Sequence, residues 1–141
     1  MQTIGYDKLN QLRHTAYFAD KEAVHKHMMI LAEFIGKKFE ITLAALDTIK
    51  DLGIAEWTAP RGGYFVSLNV LDGTAKRVYN LAKEMGVTLT SVGATFPYGI
   101  DPRDENLRIA PTYPSDEDLA SAMQILVLAV KLASVEKLLA K

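Results

Sequence analysis

Pro60-Arg61-Gly62-Gly63-Tyr64-Phe65-Val66-Ser67-Leu68 is the stretch on which the fold turns, because a proline and two glycines punctuate a run of aromatic and branched β-formers. It reads as a strand over residues 61–68, set between segments of helical periodicity. On its N-terminal side Val24, Met28, Leu31, Ile35, Phe39, Thr42 or Leu43, Leu46 and Ile49 recur at helical spacing, so residues 21–52 read as one long helix. Asp20 stands as its N-cap, Glu22 in its first turn and Gly53 just past its end. At 1.5 Å per residue such a helix would run ~48 Å, longer than a domain of this size is wide. Gly36, near its middle, is where a bend or break would fall. Residues 1–20 read as an irregular lead-in with one short helix around residues 7–13.

On the C-terminal side Asp72 is expected to cap a helix over about residues 73–84, with Ala75, Val78, Leu81, Ala82 and Met85 on one face and Gly86 as its stop. Val87-Thr88-Leu89-Thr90 reads as a second strand and Leu107-Arg108-Ile109-Ala110 as a third. Residues 91–106 between them are too polar and too rich in glycine and proline for regular structure, and a loop of that length in a compact domain is usually functional. Pro114 and Ser115, followed by Asp116, Glu117 and Asp118, make a strong helix start. The last helix carries a stripe of Leu119, Met123, Leu126, Val130 and Leu138, and six consecutive apolar residues, 125–130, ask for cover on more than one side. The fold expected is α+β, a small, mostly antiparallel sheet of about three strands packed against helices, with long helices at both ends.

The 141 residues suit a single domain, and 49% hydrophobic with 23% charged residues is a globular composition. Sixteen Lys and Arg against 17 Asp and Glu, net charge −1, give no electrostatic reason to bind nucleic acid or an anionic membrane. With no cysteine the chain makes no disulfide, thiolate nucleophile or Cys-ligated zinc, which fits a reducing cytoplasm. No leader peptide is visible at the N-terminus, and no apolar run approaches the ~18 residues that span a bilayer. A cytoplasmic protein is expected.

Few residues carry chemistry by spacing alone. His25 and His27 invite a metal, but residues two apart on a helix diverge and no third ligand is spaced to join them. His14 is isolated, and neither a catalytic triad, a carboxylate pair nor a phosphate-binding glycine loop can be placed. Arg108 is more informative, as a lone cation inside an apolar strand beside the longest loop. Its planar fork matches a carboxylate, and two readings stand: an outward-facing or internally paired strand residue, or a cation kept for an external anion. Phe96 and Tyr98, in that loop, would either line a pocket or plug the core.

Pro60 to Leu68 as quoted, then Leu71-Asp72-Gly73-Thr74-Ala75, Gly93-Ala94-Thr95-Phe96-Pro97-Tyr98-Gly99, Asp101-Pro102 and Asn106-Leu107-Arg108-Ile109-Ala110-Pro111, together resemble the C-terminal region of pyridoxal-phosphate-dependent aminotransferases of fold type I. The likeness is greatest to the bacterial aspartate aminotransferase subgroup with the MocR-type aminotransferase domain, and it covers nearly the whole chain. It implies that residues 21–141 form the small domain, with residues 21–52 as the interdomain helix. It implies too that Arg108 grips a substrate carboxylate.

In such enzymes a large domain supplies the Schiff-base lysine, the aspartate facing the pyridinium nitrogen, the stacking aromatic and most phosphate contacts, and no segment here resembles those. Lys8, Lys21, Lys37 and Lys38 sit in no such context. The resemblance therefore implies a chain that binds no cofactor and catalyses nothing alone: a truncated gene, a cloned fragment or one piece of a split enzyme. Its partners would be an amino-acid or 2-oxo-acid carboxylate and either the missing large domain or a second copy in a dimer. A non-catalytic amino-acid-binding or dimerisation module is the alternative.

Overall fold

The computed structural model describes residues 7–140, and the chain divides into two compact units between Phe34 and Ile35. In the first unit, α1 (Lys8–Tyr17) occupies most of the expected irregular lead-in. Asp7 caps it by accepting from the Asn10 amide at 3.0 Å. No residue of α1 is buried, so it carries no apolar stripe from which its length could be read; capping and propensity hold it. His27 packs edge-on against Phe18 (5.3 Å between centroids) and Tyr17 (5.9 Å).

Asp20 accepts from the Ala23 amide at 2.8 Å and starts α2 (Lys21–Asp47), which continues through Gly36 without a break. Its 27 residues correspond to about 40 Å. The helix stops short of residue 52 because the Thr48 hydroxyl donates to the Ala45 carbonyl, after which the chain tightens into a 3-10 turn at Lys50–Leu52 and reverses at Gly53, φ +63°. Thr42, not Leu43, faces inward, its hydroxyl satisfied by the Lys38 carbonyl at 2.9 Å.

The second unit holds a three-stranded antiparallel sheet in the order β1 (Ala55–Trp57), β2 (Val66–Val70), β3 (Asn106–Ile109). The α+β class and the three antiparallel strands are as expected, but two strands differ. β2 begins at Val66, because residues 61–64 form a bend around Gly63 at φ +85°. β1 exists through its pairing of Ala55 with Val70 and Trp57 with Leu68, which no period within three residues announces. Residues 87–90 are not a strand; their β-forming side chains pair with no neighbour.

Val66 faces Ile109 and Leu68 faces Leu107 across β2 and β3, on the side packed against the helices. With Leu46, Ile49, Val78, Leu126 and Val130 they form the core. α3 (Ala75–Glu84) is capped from a distance: the Ala75 amide donates to the Asp104 carbonyl and the Lys76 amide to Asp104 Oδ1. Asp72, the expected cap, does not serve.

α4 (Asp116–Leu139) opens on Ser115, which accepts from the Asp118 amide at 3.1 Å and donates to its carboxylate at 2.6 Å. A bidentate Arg77–Glu136 pair at 2.7 and 2.8 Å links α3 to α4. α4 is long and apolar enough to span a membrane by length and composition, which the sequence reading did not expect, and 44% of its apolar window is buried in the fold. Within residues 125–130 only Leu128 is openly exposed, at 58%, and Leu138 leaves the expected stripe for the surface.

Truncating Leu126, fully buried, to Ala is expected to cost about 3 kcal/mol in urea unfolding, whereas Leu128→Ala should cost under about 0.5 kcal/mol. Equal losses would mean that Leu128 is covered.

Candidate functional site around Arg108

Strand alternation puts Arg108 on the side of the sheet opposite the core, across from Ser67, with Asn69 facing Asn106 beside them. The Asn106 amide group donates to Ser67 Oγ (2.9 Å) and Asn69 Oδ1 (2.6 Å), while its Oδ1 accepts from the Thr95 hydroxyl at 2.7 Å. Every polar atom of that side chain is thereby engaged with the protein, and Asn106 serves as a tie rather than a ligand. It fastens the long loop to the polar face of the sheet.

The rest of the loop is held by Asp101 and by backbone contact. Asp101 accepts from the Arg103 amide at 3.1 Å and from the Glu105 and Asn106 amides at 2.8 Å. Burial alone would raise its pKa, but these backbone donors outweigh burial and hold it below the ordinary carboxylate value. Gly93, at φ +84°, lies so close to the Gly99 carbonyl that a Cβ would stand 2.1 Å from its oxygen. Tyr98 takes a left-handed φ of +59° and is 98% exposed. Phe96 is half-buried.

Arg108 has no ion pair among the described residues, so the internally paired reading of the sequence does not hold. Its Nε is buried without a hydrogen-bond partner, and its guanidinium carbon lies 4.6 Å from the centre of the Phe65 ring. A cavity of about 650 Å³ adjoins it, walled by residues 85–90, by Tyr113 and Pro114, and by Asp118, Ser121 and neighbouring residues of α4. The loop of residues 93–102 contributes none of this lining, so neither Phe96 nor Tyr98 lines the cavity. Asp118, the single carboxylate on that wall, is engaged by the Ser115 hydroxyl.

The wall nearest α4 is set by Lys38. Buried to 4% exposure, it donates to the Pro114 carbonyl at 2.6 Å and pairs with Asp116 at 2.7 Å, and Lys37 adds a second pair to Asp116 at 2.5 Å. Hydrogen bonds from Lys37 and Lys38 lower the Asp116 pKa. Neither Phe65 nor Lys38 carries a periodic signal that sequence reading could have used. A cation at a mid-helix position and an aromatic one residue before a strand become informative only through their partners.

The α+β module thus presents, on the polar face of its sheet, a planar, always-charged fork without an internal anion among the described residues, beside a cavity that reaches α4. The chain belongs to the aspartate aminotransferase family, whose description, aspartate amino-transferase, it matches over residues 1–141. An aspartate aminotransferase of Corynebacterium glutamicum is 46% identical over 134 residues, covering 94% of this chain and 31% of that protein. A crystal structure of an aspartate transaminase from the same species superposes with a TM-score of 0.91 at 45% identity, covering 95% of this chain and 32% of that one. An α-aminoadipate aminotransferase of Thermus thermophilus, complexed with N-(5′-phosphopyridoxyl)-L-leucine, shares the fold at a TM-score of 0.68 and 24% identity, over 80% of this chain and 28% of that one. The chain thus spans about a third of the length of the relatives it matches.

The family's cofactor, pyridoxal phosphate, does not fit the Arg108 cavity, because no lysine lines it and no side-chain amine stands there to form a Schiff base.

The lowered Asp101 pKa has a pH signature. A depressed folded-state pKa contributes stability that is fully present above the ordinary value of 3.8 and lost as pH falls through the lowered one. Asp101→Asn is therefore expected to lower the melting temperature near neutral pH, with the gap to wild type closing as pH drops below 3.8. A gap independent of pH would show that the carboxylate charge is not what holds the turn.

Proposed function

We propose that residues 21–141 form the substrate-carboxylate-binding small domain of a pyridoxal-phosphate-dependent, aspartate-like amino-acid aminotransferase, with Arg108 as the residue that takes the carboxylate of the amino acid or 2-oxo acid. The observation that carries this reading is the state of Arg108: half-buried, lacking an internal anion among the described residues, and beside a cavity of substrate size. A buried or half-buried guanidinium is stable only with a partner, and an external carboxylate offers two parallel hydrogen bonds. In this role the chain binds and orients one end of the substrate. The reacting amine, its proton acceptor and the cofactor belong to the part of the enzyme that this chain does not span, and the 141 residues alone are proposed to be inactive.

Titration of the chain with L-aspartate, 2-oxoglutarate and acetate, followed by NMR, is expected to shift the Arg108 Nε–Hε signal for all three. Arg108→Gln should abolish binding of all three as read by calorimetry, without unfolding the chain, since Arg108 has no ionic partner to lose. Addition of pyridoxal phosphate, L-aspartate and 2-oxoglutarate should yield no transamination. Binding that survives Arg108→Gln would place the carboxylate elsewhere, and turnover by the chain alone would refute the assignment of the chemistry to absent residues.

The partner reading, a large domain or a second copy, rests on exposed apolar surface. Met28, Met29 and Ile30 of α2 are 55–60% exposed, in a segment where a soluble helix would turn polar residues outward. Phe39, grouped with them by periodicity, is instead 8% exposed and part of the core. Sedimentation velocity across a dilution series is expected to show association that Met28→Glu weakens. A monomer at tens of micromolar, unchanged by that substitution, would remove this support.

A further inference from the structure

A guanidinium carries five N–H donors on three nitrogens, and in Arg108 those nitrogens are treated differently. Nε is buried with no acceptor, whereas neither Nη atom is buried or hydrogen-bonded among the described residues. Leaving Nε unpaired is unfavourable unless something else stabilises the charge. The neighbours on the same face of the sheet do not: Ser67, directly opposite, accepts from Asn106, and the Asn106 carboxamide is used up by Ser67, Asn69 and Thr95. Asp118, on the cavity wall, makes no ion pair with Arg108.

What remains is Phe65. It precedes Val66, whose side chain faces the core opposite Ile109, so alternation turns Phe65 to the face of Ser67 and Arg108. There it is the diagonal neighbour of Arg108, within reach of a long side chain. Its ring centre lies 4.6 Å from the guanidinium carbon, the range of a cation–π contact, and the negative face of the ring replaces the missing acceptor. Phe65 is 47% exposed and lies outside the core cluster, so its position next to Arg108 is not a by-product of filling the core.

We propose that Phe65 is the positioning residue of Arg108, holding the guanidinium so that Nε is sealed and Nη1 and Nη2 are presented end-on to the carboxylate. The inference rests on the carboxylate reading of Arg108 and adds to it the residue that orients the fork and the edge of the fork that binds. The consequence is preorganisation: the arginine is aimed before the ligand arrives, so less rotamer freedom is lost on binding.

The test uses the whole chain with two measurements, solvent exchange of the Arg108 Hε proton in the free protein and affinity for L-aspartate by calorimetry. Arg108→Lys identifies the Hε signal. Phe65→Leu and Phe65→Gln are expected to speed Hε exchange and to weaken L-aspartate binding about fivefold, the size of a cation–π contact at a partly exposed site. Phe65→Tyr, which keeps the ring face, should restore both. Unchanged exchange in both removal variants overturns the proposal whether or not any carboxylate binds. Faster exchange with unchanged affinity overturns it as well, since the fork would then need no aiming. Faster exchange in a protein that binds no L-aspartate even as wild type supports the positioning and refutes instead the carboxylate reading on which it rests.

Discussion

The register between β2 and β3 is the constraint from which the site follows. Pairing Val66 with Ile109 and Leu68 with Leu107 places four apolar side chains on the helix-covered face. Because side chains alternate, the same register obliges Ser67, Asn69, Asn106 and Arg108 to share the other face. A slip of one residue would drive Arg108 into the core and Leu107 into water, exchanging an apolar contact for an unpaired buried charge. The hydrophobic core thus fixes the face of the sheet on which the arginine stands.

Two devices lock that register from outside the strands. The Asp101 carboxylate gathers the amides of Glu105 and Asn106 just where β3 begins, and the Val70 amide donates to the Glu105 carbonyl at 2.8 Å. Asp104 then carries the turn to the N-terminus of α3 through Ala75 and Lys76. One short turn therefore sets the start of a strand and supplies the cap of a helix. Lys38 ties another part of the fold together, fastening Pro114 and the first residue of α4 to α2.

The parts of the fold legible in the sequence were those that declare themselves within a few residues. The helix start at Ser115 with its three acids, the α3 stripe and the apolar period of α2 each follow from local chemistry, and Arg108 stood out as a cation in an apolar strand. The parts that were not legible depend on residues far apart in the chain. β1 is a strand only because β2 lies beside it, and residues 87–90 have strand-forming side chains but no partner to pair with. The cap of α3 comes from Asp104, 28 residues from the amide it serves, while the nearer Asp72 goes unused. Phe65 looked like part of a strand, and its relation to Arg108 appears only when the diagonal across the sheet is known.

The close approach of Gly93 to Gly99 has a consequence for how this segment can vary. The Phe96 amide returns to the Gly93 carbonyl and the Gly99 amide to the Phe96 carbonyl, so residues 93–99 close on themselves through backbone alone. A side chain such as Tyr98, turned almost wholly to solvent, takes no part in the closure. The segment is therefore strict in length: Gly93 and the Thr95 hydroxyl are fixed by their contacts and an exposed position such as Tyr98 can be exchanged, while an inserted or deleted residue would open the ring and displace Thr95 from Asn106. Variation in this loop should accumulate as substitutions rather than as changes of size.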